Sequence, residues 1–179
     1  MSKLKPDVVK ALEGLFKSYE RVGGGRIAFY TGDADAATVY YRPVYMGFFL
    51  GYERLHEFST MVEYTDDAKC RASRTYCKIS LSPGVKRRFE IECEDEEVKS
   101  FISDSLSKQL QEAKPEILLI DPTPGLAENR IVILARKYTG MGLKFSRDVC
   151  AVYKLVIDAT KAVRRWISMQ IGEPFHSDL

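Results

Sequence analysis

A few residues in this 179-residue chain have types and spacings that could do chemistry. Cys70 and Cys77 stand on either side of a turn-forming segment, where two thiolates could face each other across a hairpin and share a zinc ion in a reducing compartment. A closed zinc site needs four ligands, and of the only two histidines, His56 and His176, the second lies three residues from the C-terminus and 120 from the first, so no two-histidine zinc site, bis-histidine haem or His-x3-His metalloprotease pattern is expected. Any histidine-based triad would have to use His56. Asp33 and Asp35 follow a glycine run and could hold Mg²⁺ for nucleotidyl transfer if one strand face presented both. They fall in Thr31-Gly32-Asp33-Ala34-Asp35, which has the composition of a hairpin turn. His56 beside Glu53 or Glu57 on a helix could act as an acid–base pair, and Asp121 before Pro122 could be an acid at a strand end. No second group can be assigned to Asp121, and a surface histidine and a turn aspartate are the simpler readings, so no catalytic residue is expected.

Two further stretches suit binding rather than catalysis. Gly47 and Gly51, four apart, would open one face of a helix to close approach, with Phe48, Phe49, Tyr52, Leu55 and Phe58 around the gap and Tyr30, Tyr40, Tyr41 and Tyr45 just upstream. Such a wall fits an apolar pocket with a few hydroxyls to orient a ligand; tight helix-to-sheet packing without a cavity fits the same pattern. Near the end of the chain, Arg147, Lys154, Lys161 and Arg165 share one helical face, opposite Val149, Val152, Val156, Val163 and Ile167. That face suits phosphate or nucleic acid, the acidic segment of a second subunit, or simply solvent.

The elements that must position these residues follow from apolar periodicity. Val8, Val9, Leu12, Leu15, Phe16 and Tyr19 predict a first helix from Pro6 to the Gly23-Gly24-Gly25 stop. Residues 26–30 and 38–41 predict a hairpin. Val44, Phe48, Gly51, Leu55, Phe58 and Val62 step by three and four, which predicts a second helix over roughly 44–58. Alternation predicts strands at 61–64, 75–81 and 88–93. Asp95 caps a helix striped by Val98, Phe101, Ile102, Leu106 and Leu110 and stopped by Pro115. Buried strands follow at 117–120 and 131–134, then a long helix over 146–170. The expected class is α+β, an antiparallel sheet or sheets flanked by helices. The chain reads as one domain over 1–179, with a ligand-binding-like core in 1–94 and a helix–strand–strand–helix extension, 95–179, packed on it.

Hydrophobic residues make up 45% of the chain, enough for a core at this length. The net charge of +2 is too small to argue for nucleic acid by itself. It conceals an acidic segment, 94–128, with nine acids against three bases, and a basic one, 136–165, with eight bases against two acids. The longest apolar stretch, Val44 to Tyr52, is far short of the roughly 20 residues that span a bilayer, and the charged start has no apolar leader. The expectation is a cytoplasmic protein with no membrane association, whose Cys70, Cys77, Cys93 and Cys150 are reduced thiols or metal ligands rather than disulfide partners.

The order of pieces in residues 20–82 resembles the 4-vinyl-reductase-type small-molecule-binding domain: Val22-Gly23-Gly24-Gly25-Arg26-Ile27, a hairpin, Gly47-Phe48-Phe49-Leu50-Gly51-Tyr52, Met61-Val62-Glu63-Tyr64, then Cys70 through Cys77. The resemblance implies a small α+β module that encloses a hydrophobic, often aromatic, ligand and passes its occupancy to a regulatory partner or a second copy of the chain. It also implies a structural zinc in some members, for which the matching positions are Asp67, Cys70 and Cys77. This chain departs from that motif in the cysteine interval, and Arg42 stands where a further cysteine is expected; a cation there repels zinc. No cofactor is therefore expected, zinc being the one candidate. The expected function is non-enzymatic binding of a hydrophobic or aromatic small molecule through Tyr41, Tyr45, Gly47, Phe48, Gly51, Tyr52 and Leu55. The alternative is a nucleic-acid-binding protein using Arg147, Lys154, Lys161 and Arg165, with a continuous basic surface joining Arg87, Arg88, Arg136 and Arg165.

Overall fold

A computed structural model describes residues 7–48, 51–83, 87–123, 128–139 and 143–169. In chain order the elements are α1 (Asp7–Ala11), β1 (Ser18–Val22), β2 (Arg26–Tyr30), β3 (Thr38–Phe48), β4 (Gly51–Glu63), α2 (Lys69–Ala72), β5 (Cys77–Leu81), β6 (Phe89–Cys93), α3 (Glu96–Ala113), β7 (Ile117–Asp121), β8 (Arg130–Thr139) and α4 (Leu143–Ser168). The eight strands form one antiparallel sheet in the order β1-β2-β3-β4-β8-β7-β5-β6, so the fold is α+β. Because β8 lies between β4 and β7, the boundary at 94/95 cuts across a single continuous sheet.

Alternation gives the sheet two unlike faces. One cross-strand row, Ile27–Tyr41–Phe58–Ala135–Leu118–Ile79–Ile91, runs through seven strands. All but Ile91 are buried, and they pack with the helices in one core. Helix α4 covers this face through Val149, Val152, Val156, Ala159 and Val163, each at most 1% exposed. Tyr153 of α4 meets Phe29 and Phe58 edge-on, and burial pushes its phenol up to about 12. Helix α3 begins at Asp95, whose carboxylate accepts from the Glu97 and Val98 amides, and ends at Lys114 in a left-handed conformation before Pro115.

The structure corrects two predicted helices. Residues 44–48 and 51–58 belong to the paired strands β3 and β4, not to a helix. A step of four is even, so it keeps residues on one face of a strand as well as of a helix. The Tyr and Phe content favours the pleated form, and β4, paired on both sides by β3 and β8, satisfies its backbone groups there. Gly47 and Gly51 are accordingly turn-side positions, opposite Tyr52 and Phe48. The first helix stops at Ala11 rather than running to Gly23, because Gly14 adopts a φ of +88° and turns the chain into β1. Leu12, Phe16 and Tyr19 still reach the core, but the first two from the connection after α1 and the third from β1.

The expectation of reduced cysteines is also corrected. Register places Cys77 directly opposite Cys93 with Cα atoms 4.1 Å apart, and the two form a disulfide. Cys70 and Cys150 are free. The bond joins residues 16 apart, and a loop of that size restricts the unfolded chain by roughly 3 kcal/mol. The Cys77→Ala/Cys93→Ala variant should therefore lose about 2–4 kcal/mol of stability in urea unfolding. Unreduced, denatured parent protein should titrate as two thiols; four would contradict the bond.

Candidate functional site

At one end of the helix-covered face, α1, the first turn of α4 and strands β1 to β4 leave a recess of about 430 Å³. Register fixes its polar centre: His56 of β4 lies opposite Pro43 of β3, two positions along from the Tyr41–Phe58 pair, so Tyr41 and His56 project to the same side. Their rings stack at 5.8 Å, and the Tyr41 hydroxyl shares a hydrogen bond of 2.9 Å with His56 Nδ1. Phe145 of α4 meets His56 edge-on at 5.2 Å. Val8 and Ile27 add apolar wall, while Arg21, Arg26 and Asp7 bring charge. His56 and Tyr41 are only 3% and 6% exposed, which makes this a buried polar pair inside an aromatic wall rather than a surface histidine.

Of the sequence-predicted binding residues, Tyr41 lines this recess. Leu55 is buried on the opposite face of the sheet, because it lies one residue from His56 in the same strand. The side chains of Tyr45, Gly47, Phe48, Gly51 and Tyr52 lie outside the described residues. His56 does not pair with Glu57 for the same reason of alternation. Glu57 faces the other side, where Arg42 Nη2 and Arg136 Nε each approach its carboxylate at 2.7 Å. Arg42 is thus one arm of a three-strand ion triad around a carboxylate that is 7% exposed. Nothing in the sequence brings these three residues together until the strand register is known.

The proposed zinc ligands separate. Cys77 is fully buried and bonded to Cys93, Cys70 is exposed on α2, and Asp67 accepts a hydrogen bond from the Thr65 hydroxyl. The expected facing pair Cys70 and Cys77 does not form, because α2 and its flanking turns, not a simple hairpin, occupy the interval between them. Among the described residues no cluster of three or more His, Cys, Asp or Glu side chains could hold a metal ion.

The basic face of α4 is partly used within the chain. Lys161 Nζ lies 2.7 Å from Asp33, and Arg164 Nε donates to the Asp35 carbonyl at 2.7 Å, so the loop read as a candidate carboxylate pair instead fastens α4 to the β2–β3 connection. Arg165 sits over the Phe101 ring, whereas Arg147 and Lys154 are exposed. Arg87 and Arg88 belong to a groove beside α3, while Arg136 is held by Glu57 on the uncovered face, so the four arginines expected to form one basic surface do not. No helix among the described residues is long and apolar enough to cross a membrane.

Comparison with known proteins found no matching family model, no matching curated protein and no matching solved structure.

The Lys161 ammonium hydrogen-bonded to Asp33 holds that carboxyl below the usual aspartate range, and Asp33 in turn raises Lys161. The Asp33 contribution is therefore present above its unfolded value near ~3.9 and lost as pH falls through the folded one; that of Lys161 is present below ~10.4 and lost as pH rises through its folded value. Both side chains are partly exposed, so Asp33→Asn should cost at most about 1 kcal/mol at neutral pH, less in high salt, and nothing once acid has protonated Asp33. Urea unfolding at neutral and strongly acidic pH measures the difference.

Proposed function

We propose that this chain is a non-enzymatic binding module that takes a small aromatic molecule into the recess formed by Tyr41, His56 and Phe145. The observation that carries the reading is the convergence of these three rings on one recess, with a hydrogen-bonded hydroxyl and imidazole at its centre. Its volume is in the range of small-molecule sites, and aromatic walls with a few placed polar groups are how such sites gain both affinity and orientation. The resemblance of residues 20–82 to the 4-vinyl-reductase-type domain supports the same class of ligand. In that reading, occupancy is passed on through α4, since Phe145 belongs to its first turn and the rest of the helix spans the core.

Ligand-observed NMR with a panel of monocyclic and bicyclic aromatic compounds tests the proposal. Some members should bind the parent protein. Tyr41→Phe should weaken them by about tenfold if the hydroxyl orients the ligand, and His56→Phe should change which members bind; thermal unfolding confirms that each variant is folded. A panel that fails to bind, or binds all three proteins alike, sinks the proposal.

The alternative, nucleic-acid binding along α4, has support from the exposed Arg147 and Lys154 but loses Lys161 to the Asp33 pair. Titration with mixed-sequence DNA and RNA is expected to give no steep salt dependence. If the helix did contact phosphates, each lost contact would lower the slope of log affinity against log salt by about 0.9 for duplex DNA, and replacing Lys161 and Arg165 together would reveal it.

A further inference from the structure

A second cavity lies on the other side of the α4 first turn. It is a groove of about 890 Å³ between α3, β6, the end of β8 and the start of α4, and none of its residues lines the aromatic recess. Its charge is one-sided. Arg87, Arg88, Lys114, Lys137 and Lys144 face two acids, Glu116 and Asp148. Both acids have arginine neighbours already, Glu116 at 3.5 Å from Arg87 and Asp148 at 3.8 Å from Arg147. Arg88, Lys114 and Lys144 have no ion-pair partner among the described residues. Lys137 donates to the Ala113 and Lys114 carbonyls, at 2.6 and 2.9 Å, which anchor its ammonium without cancelling its charge. Burial holds that ammonium below the usual lysine range; the carboxylates of Asp148 and Glu116 oppose the shift, and the Lys144 and Lys114 ammoniums add a smaller push in the same direction as burial.

The rest of the groove is not random surface. Ser103, Ser107 and Gln111 of α3 line it at four-residue intervals, one helical face presenting hydroxyls and an amide. Leu81, Phe89, Ile91 and Leu110 contribute apolar surface beneath them. A ligand that satisfies all three features carries at least two negative charges on closely spaced oxygens, accepts hydrogen bonds from hydroxyls, and has a flat apolar body.

We infer that this groove is a binding site for a soluble phosphate monoester with an aromatic or apolar moiety, the phosphate held by Arg88, Lys114 and Lys144 and the organic part laid on Phe89 and Leu110. A carboxylate would leave most of the positive charge unmatched, whereas a phosphate dianion presents three oxygens to guanidinium and ammonium donors. The groove volume suits one small molecule rather than a polymer.

The test uses 2-naphthyl phosphate, 2-naphthol and inorganic phosphate as probes, by isothermal titration on the full chain. The naphthyl ester should bind, with 2-naphthol weaker by about tenfold or more because the charge-assisted hydrogen bonds are absent. Inorganic phosphate should also be weaker, having nothing to lay on the apolar floor. Arg88→Gln and Lys144→Gln change exposed side chains and should each weaken the ester by roughly fivefold or more. Lys144→Arg should restore most of the affinity, and Tyr41→Phe, in the other cavity, should leave it unchanged. Equal affinity for ester and naphthol, indifference to both glutamine variants, or no binding of the ester at millimolar concentration would overturn the inference. So would sedimentation with phosphatidic acid vesicles by a protein that ignores the soluble ester.

Discussion

The burial of one face of α4 against the middle of the sheet holds every other arrangement in place. Val149, Val152, Val156 and Val163 lie along this seam, and each fully buried side chain of this kind stabilises by about 1.5–3 kcal/mol relative to exposure. Tyr153 fills the centre between Phe29 of β2 and Phe58 of β4. The helix also receives α1 through the Cys150 thiol, which donates to the Ala11 carbonyl, and α2 through the Trp166 indole, which donates to the Arg71 carbonyl. Near its far end Lys161 and Arg164 fix it to the β2–β3 loop. The acidic segment that begins at Glu94 contributes α3, which packs along α4 in the same chain, so the two oppositely charged stretches of sequence are neighbours without any second subunit.

That seam also decides where space is left over. At its start, Phe145 enters the aromatic recess, while Lys144 and Asp148 enter the basic groove. The strands beneath repeat the division: His56 and Lys137 are register partners on β4 and β8, and one lines each cavity. One helical turn and two adjacent strand positions therefore separate an apolar, ring-lined environment from a cationic one.

How far this was legible in the sequence depends on how local each interaction is. Helix α3 carries its own cap, stripe and stop within twenty residues or so, and its sequence signals match the structure at both ends. Helix α4 is similarly self-declared, because a sustained apolar stripe opposite charge has no strand equivalent. The β3–β4 hairpin reads as a helix because its steps of four serve both periods, while the steps of three between them change strand face, and because the adjacent polar residues His56 and Glu57, both buried in the fold, interrupt the alternation that would mark a strand. Tyr41–His56, Arg42–Glu57–Arg136 and Cys77–Cys93 each require a strand register to bring residues together. Asp33–Lys161 requires the helix to be docked first. Residue types alone identified several of these participants but gave them different partners.

The position of β8 also has a consequence for how the chain reaches its native state. Among the described residues β8 is the last strand in sequence yet a central one in space, pairing Ile131 with Val62 on one side and Ala135 with Leu118 on the other. Until residue 139 has left the ribosome, the meander β1–β4 and the β5–β6–β7 group are two partial sheets with no strand between them, and β4 presents a long unpaired edge. Such an edge is a template for pairing with the wrong chain. Closure depends on contacts between residues far apart in sequence, a topology that folds slowly and exposes intermediates. Helix α4, which seals the face, is made later still. Late synthesis of the two central elements makes this a chain whose yield depends on how well its first half is shielded while the second is being made.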